Sequence, residues 1–232
     1  MTVQDIIECR VLYELARSTD SDEAGLWTQL GLDATHLSRT LDALAAAGLV
    51  ERAPGAHVAL TARGRAAADV VLREPRPGDL GWIVQRNAAL YAAEHGWNTD
   101  YEGLVARIVA DFAEDHDPHL ERVWIAEAAE RPVGCVMCVR DDAPGTARLR
   151  LLLVEPQARG LGIGDRLVGA VVDFARGVGY RDLVLWTNDV LGAARRLYQR
   201  HGFVLTAEKP HRSFGKDLIG QDWRLDLHRS GE

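Results

Sequence analysis

Apolar positions in the first 72 residues recur every three or four, whereas after residue 120 they alternate or come in short runs, so helices precede an array of strands and helices. Ile7, Val11, Leu12 and Leu15 predict a helix over 3–17, and Leu26, Leu30 and Leu32 add a second apolar turn. Asp33 can cap a helix that buries Leu37, Leu41 and Leu44 and stops at Gly48. Residues 49–52 and 57–60, around a Pro54-Gly55 turn, make a short hairpin, and Thr61 caps a further helix through Leu72. The turn formers around 75–79 read as a linker between a domain at 1–74 and a second at 80–232. In the second domain 80–84 reads as a strand and 87–95 and 101–114 as helices. Strands follow at 122–128, 133–140 and 147–154, then a helix at 163–176 burying Ile163, Leu167, Val171 and Phe174. Residues 203–208 and 223–227 can close the sheet. The fold class is α/β.

The stretch 151–165 carries the most specific chemistry. An apolar strand runs into a turn holding Gly160, Gly162 and Gly164, and that turn opens a helix. Glycines let backbone approach a ligand closely, and the unpaired N–H groups of a helix start attract an anion, so the turn suits a pyrophosphate. The dinucleotide fingerprint would need a glycine where Asp165 stands, and the Gly-Lys-Ser/Thr ending of a P-loop is absent. What remains is Gln157-x-x-Gly160-x-Gly162 with Arg159 inside it.

This turn, the following Asp182-Leu-Val-Leu-Trp-Thr-Asn188 and the Leu197-Tyr-x-x-x-Gly-Phe203 ending of the next helix together resemble the GNAT acyltransferases, in order and spacing. The resemblance implies a mixed-sheet α/β domain that transfers an acyl group, expected to be acetyl, from acetyl-CoA to the amine of a small molecule. It assigns the pantetheine to the backbone of Leu152, Leu153 and Val154 and to Asn188. The pyrophosphate falls to Gln157, Arg159, Gly160, Leu161, Gly162, Ile163 and Gly164. Tyr198 becomes the general acid for the departing thiolate. Acceptor contacts fall on Tyr91, Glu94, Trp97 and the segment 211–214.

The base is open. Relatives often place it at the centre of the strand before the glycine turn, where this chain has Arg148 and Arg150. A guanidinium accepts no proton at neutral pH. Glu155, at the strand end, either takes the amine proton through water or caps the following turn. Alternation sets Arg148 and Arg150 on one face with Leu152 and Val154, where they either hold an anionic acceptor or pair with an acid such as Glu127.

Residues 32–50 and 60–65 resemble the recognition helix and the helix after the wing in MarR-type winged helix-turn-helix regulators. That resemblance puts Thr35, His36 and Arg39 at a major groove. Acids outnumber bases up to Glu74, so any DNA contact rests on a local patch. Two further readings stay open: a regulator whose second domain senses acyl-CoA or an amine, and an acyltransferase whose donor sits on an acyl carrier protein. A homodimer is also compatible with the sequence.

The net charge of −7 gives no general attraction to nucleic acid or anionic membrane. No apolar run reaches membrane length and the first residues lack a secretory pattern, so a cytoplasmic protein is expected. Cys135 and Cys138 lie three apart on a strand and point to opposite faces. They share no metal, and His116 and His119 read as surface residues, so no metal is expected.

Overall fold

The computed structural model describes residues 3–17, 23–53, 57–128 and 130–228. Contacts divide the chain into two units. One consists of Met1–Val71, Ala126–Val133 and Val154–Ile163; the other of Leu72–Ile125, Gly134–Leu153 and Gly164–Glu232.

The first unit contains α1 (Val3–Arg17), α2 (Glu23–Leu30), α3 (Ala34–Ala46), a hairpin of β1 (Val50–Ala53) and β2 (His57–Leu60), and α4 (Ala62–Ala68). Asp33 caps α3 as expected, its carboxylate accepting from the His36 N–H at 2.8 Å. Leu37, Leu41 and Leu44 enter one core with Val11, Leu12, Leu15, Leu26, Val50 and Val58. Thr61 caps α4, and Gly64 lets that helix approach Leu49, whose carbonyl oxygen would lie 1.8 Å from an added Cβ. The Pro54-Gly55 turn falls outside the described residues. The same unit includes the glycine turn, against which α1 lies; the Tyr13 hydroxyl donates to the Leu161 carbonyl at 3.3 Å.

A seven-stranded mixed sheet frames the second unit. Its strands are β3 (Val71–Arg73), β4 (Arg122–Ala128), β5 (Arg131–Arg140), β6 (Thr146–Val154), β7 (Asp182–Asn188), β8 (Val204–Ser213) and β9 (Lys216–Asp226), in the order β3-β4-β5-β6-β7-β9-β8. The helices are α5 (Asp79–His95), α6 (Thr99–Asp115), α7 (Ile163–Gly177) and α8 (Gly192–Arg200). Strand β6 runs parallel to β7, whereas β7, β9 and β8 are antiparallel.

Three elements depart from the sequence reading. Residues 80–84 open α5 rather than forming a strand. Asp79 sits in its first turn, and Ile83, Asn87 and Leu90 fall at helical spacing on its buried side. A short apolar run does not by itself distinguish a strand from a buried helix turn. Helix α4 stops at Ala68, and Val71–Arg73, expected as helix end and linker, pair into the sheet as β3. The closing hairpin is longer than its apolar residues suggested, because β8 is an edge strand exposed along most of its length. An edge also tolerates Pro210, which has no N–H to donate.

Candidate active site

Strand β6 departs from regular pairing where the chemistry was expected. Its register with β7 runs Thr146↔Asp182, Ala147↔Leu183, Arg148↔Val184 and goes no further, although both strands continue. Leu151 has φ 51°, a left-handed conformation that leucine adopts only when its surroundings hold it there. The irregularity breaks the alternation. Leu151 and Leu153 both pack into the core with Ile83, Val105, Val109 and Phe112, so Leu152 and Val154 do not continue the arginine face as strict alternation predicted. Backbone groups of β6 past Arg148 lack a β7 partner and can bind an extended ligand with amides of its own.

A cleft opens at this seam. Its lining includes Arg148, Arg150, Leu151 and Leu152 from β6, Thr187 and Asn188 from β7, Tyr198 from α8, and Tyr91, Trp97 and Tyr101 from α5, α6 and their connection. Six of the residues singled out from sequence thus share one cleft with Asn188: Tyr91, Trp97, Arg148, Arg150, Leu152 and Tyr198. Glu94 does not line it; it is exposed on α5, 4.0 Å from His95. Glu155 is fully buried and its N–H donates to the Val133 carbonyl at 2.9 Å.

Tyr198 is 5% exposed and its hydroxyl makes no hydrogen bond among the described residues. Burial, with Tyr91 adding, raises its phenol well above the ordinary value. It therefore keeps its proton at neutral pH and can act as an acid but not as a base. Asn188, 1% exposed, is hydrogen-bonded through Oδ1 to His211 Nε2 at 2.9 Å, while His211 Nδ1 lies 3.0 Å from Ser213 Oγ.

The α5–α6 side of the cleft is aromatic. Trp97 stacks on Tyr91 with centroids 4.9 Å apart and meets Tyr101 edge-on at 4.7 Å. Phe214, at the tip of the β8–β9 hairpin, closes on Trp97 at 4.9 Å, and its carbonyl accepts from the Asn98 N–H. Sequence reading missed Tyr101 and Trp186 as cleft residues. An aromatic residue at helix or strand spacing carries no mark that separates a cleft wall from a core.

The two arginines differ. Arg148 is clamped by Asp141, with Nε at 2.6 Å and Nη2 at 2.5 Å, so its partner is Asp141 and not Glu127. The Arg150 guanidinium, half-buried, has no hydrogen bond or ion pair among the described residues. Desolvation and the neighbouring Arg148 disfavour its charge, opposed at longer range by Asp141, Asp111 and Asp142.

Beyond Val154 the chain makes a 3₁₀ turn, Pro156–Ala158, passes Gly160 and Gly162 at φ 85° and 72°, and enters α7 at Ile163. A Cβ at either glycine would meet nothing within 4 Å, so the turn faces open space. The first N–H groups of α7 have no intrahelical acceptor. Gln157 Oε1 is buried without a partner. Arg159 is tied back through Nε to the Val154 carbonyl at 3.3 Å. In α7 the Asp165 carboxylate, an unfavourable charge beside an anion, is engaged by His201 Nε2 at 3.1 Å and Arg200 at 3.5 Å. The turn accordingly fits the pyrophosphate of a CoA thioester, and the unpaired stretch of β6 fits its pantetheine.

On the exposed side of α3, Thr35 and Arg39 face solvent and His36 is half-buried. Cys135 donates through Sγ to the Leu151 carbonyl and packs with Met137, whereas Cys138 lies near Glu121, and burial pushes its thiol up to about 12. No group of three or more His, Cys, Asp or Glu among the described residues is arranged to hold a metal.

The family model described as "Acetyltransferase (GNAT) family" matches residues 85–203. An uncharacterized N-acetyltransferase of Schizosaccharomyces pombe is 28% identical over 133 residues, covering 57% of this chain and 79% of that protein. Human N-acetyltransferase 8B is 39% identical over 89 residues, covering 37% of this chain and 39% of its own length. The chain therefore spans well under half of the human relative. Among solved structures, a Salmonella typhimurium protein with its cofactor acetyl-CoA superposes with TM-score 0.54 at 22% identity, over 71% of this chain and 97% of that one. An N-acetyltransferase from Staphylococcus aureus Mu50 gives TM-score 0.58 at 20% identity, over 68% and 99%.

Proposed function

This chain belongs to the acetyltransferase (GNAT) family, and on that premise we propose that it moves an acetyl group from acetyl-CoA to the amine of a small molecule by direct attack. The single observation that carries the reading is Tyr198: buried, without a hydrogen-bond partner, held in its protonated form, and lining the same cleft as Asn188 and the unpaired stretch of β6. Acetyl-CoA supplies the activated acyl group. Residues Gln157 to Gly164 hold its diphosphate at the glycine turn, while Asn188 and the backbone of Leu152 to Val154 hold the arm. The cleft walls orient the amine, and the Tyr198 hydroxyl gives its proton to the departing sulfur. Glu155 is assigned to the scaffold, and the amine enters neutral or loses its proton to water.

The test is thiol release from acetyl-CoA and longer acyl-CoAs over a panel of amines, beside calorimetric titration with CoA. Release that needs both donor and amine supports the reading. Absence of CoA binding overturns it. An acyl carrier protein as donor would show as release from the carrier-bound thioester but not from CoA.

We further propose that the N-terminal elements, α1 to α4 with the β1–β2 hairpin, form a MarR-like winged helix. The capped α3 exposing Thr35 and Arg39 and the following hairpin favour this reading. The excess of acids argues for weak, salt-sensitive contact with DNA at best. A gel shift with the full chain decides; nanomolar operator binding at physiological salt would make the protein a regulator first. No helix among the described residues is long and apolar enough to cross a membrane.

A further inference from the structure

The cleft holds more hydrogen-bond donors than its own residues satisfy. Arg148 is engaged by Asp141 through two nitrogens. Arg150, two residues on along β6, is half-buried in the same cleft, and its guanidinium has neither a hydrogen bond nor an ion pair among the described residues. Across the cleft, Trp97 is 5% exposed and its indole N–H is buried with no partner. A half-buried guanidinium brings five donors in a planar fork, and leaving it unpaired is unfavourable unless something outside the chain completes it. A carboxylate matches that fork with two parallel hydrogen bonds.

The walls from α5, α6 and their connection are apolar or aromatic: Tyr91, Tyr101, Leu104 and Ile108 line the cleft with Trp97 and Arg150, whereas Thr187 and Asn188 come from β7. The ring cluster is fixed from two sides, by α5 and α6 and by Phe214 of the hairpin tip. Such a wall accommodates an apolar side chain and offers nothing to a polycation, which the two arginines would repel. An amine that satisfies this cleft carries its own anion.

We propose that the acceptor is a small aminocarboxylate, an amino acid with an apolar or aromatic side chain, whose carboxylate is held by Arg150 and whose side chain lies against Tyr91, Trp97 and Tyr101. This rests on the acetyltransferase reading above. In the transfer, the amine nitrogen forms a bond to the acetyl carbon and the carbon–sulfur bond breaks. One proton leaves the nitrogen for water, and the thiolate takes one from Tyr198. The carboxylate stays bound throughout and does not react.

The experiment uses the full chain with acetyl-CoA and matched pairs of acceptors: phenylalanine against phenethylamine, leucine against isopentylamine, tryptophan against tryptamine. Calorimetry with acetyl-CoA is run on the same preparation. The expected result is a kcat/KM for the better amino acids on the order of 10²-fold above their decarboxylated partners. In Arg150→Ala that ratio falls to about one, through KM for the amino acid and with KM for acetyl-CoA unchanged. Arg150→Lys, which keeps the charge but not the fork, retains part of the ratio and guards against an Ala variant that fails to fold. Equal turnover of both members of each pair overturns the proposal and leaves the acetyltransferase reading standing. So does a protein that binds acetyl-CoA but acetylates no amino acid of the panel. A protein that does not bind acetyl-CoA overturns the acetyltransferase reading, and this proposal with it.

Discussion

His211 and Asn188 face each other from β8 and β7 and are joined by a 2.9 Å hydrogen bond between His211 Nε2 and Asn188 Oδ1. The Asn188 oxygen can only accept, so His211 Nε2 is the donor in that bond, with Nδ1 3.0 Å from Ser213 Oγ. The Asn188 amide nitrogen then remains as a donor in the cleft it lines. The histidine fixes which end of the amide a ligand finds.

Removing either partner should weaken donor binding by the same route. Asn188→Ala and His211→Ala are each expected to raise KM for acetyl-CoA on the order of 10-fold, and the double variant little more than either alone. Steady-state kinetics on the four proteins measures this. Strictly additive losses would mean that His211 acts elsewhere.

Tyr198→Phe keeps the ring and removes the proton. Turnover is expected to fall on the order of 10²-fold, while calorimetric affinity for acetyl-CoA stays near that of the parent. A variant with full kcat would transfer the acid role to water.

Gly162→Val tests the glycine turn. Nothing lies within 4 Å of the position, so valine meets no neighbour in the protein. It must instead adopt φ 72°, at a cost of roughly 1–2 kcal/mol, and project into the space left for the ligand. CoA affinity should drop severely while the thermal midpoint falls by only about 2–8 °C. Unchanged affinity by calorimetry would remove the turn from the binding site.

Asp79 anchors the start of α5. It is 7% exposed, and Arg73 Nη1 and the Arg76 N–H each reach its Oδ2 at 2.6 Å. Burial alone would push its carboxyl up, but these partners outweigh it and hold the value below the ordinary range. Asp79→Asn is therefore expected to cost about 3 kcal/mol of unfolding free energy at pH 7. The folded value lies below the unfolded one. The contribution is thus present above the ordinary carboxylate range and lost as pH falls through the folded value. Urea unfolding at neutral and acid pH should show the difference between parent and variant shrinking with acid.

The local features were legible from sequence because they depend on adjacent residues. The glycine turn, the Asp33 cap, Tyr198 and Asn188 each sit in a short stretch whose spacing carries its meaning. What escaped depends on neighbours distant in sequence or on backbone detail. Arg148 and Arg150 look equivalent along β6, and only the approach of Asp141 separates them. The left-handed Leu151 has no glycine or proline to announce it, so strict alternation was carried too far along the strand. Residues 80–84 were misread because five apolar-rich positions fit a strand and a helix turn equally well. Tyr13, which reaches the Leu161 carbonyl, gave no local sign of that contact.

The seam between β6 and β7 has a consequence for the chain's own persistence. Beyond Arg148↔Val184 the centre of the sheet lacks its internal ladder, so a ligand lying there completes the folded state as well as meeting the chemistry. A molecule that binds only the folded form adds stability in proportion to the logarithm of its concentration above Kd. Amides of β6 that face β7 are where solvent exchange should slow when acetyl-CoA is added. The supply of donor would then govern how long each folded molecule lasts as well as how fast it works.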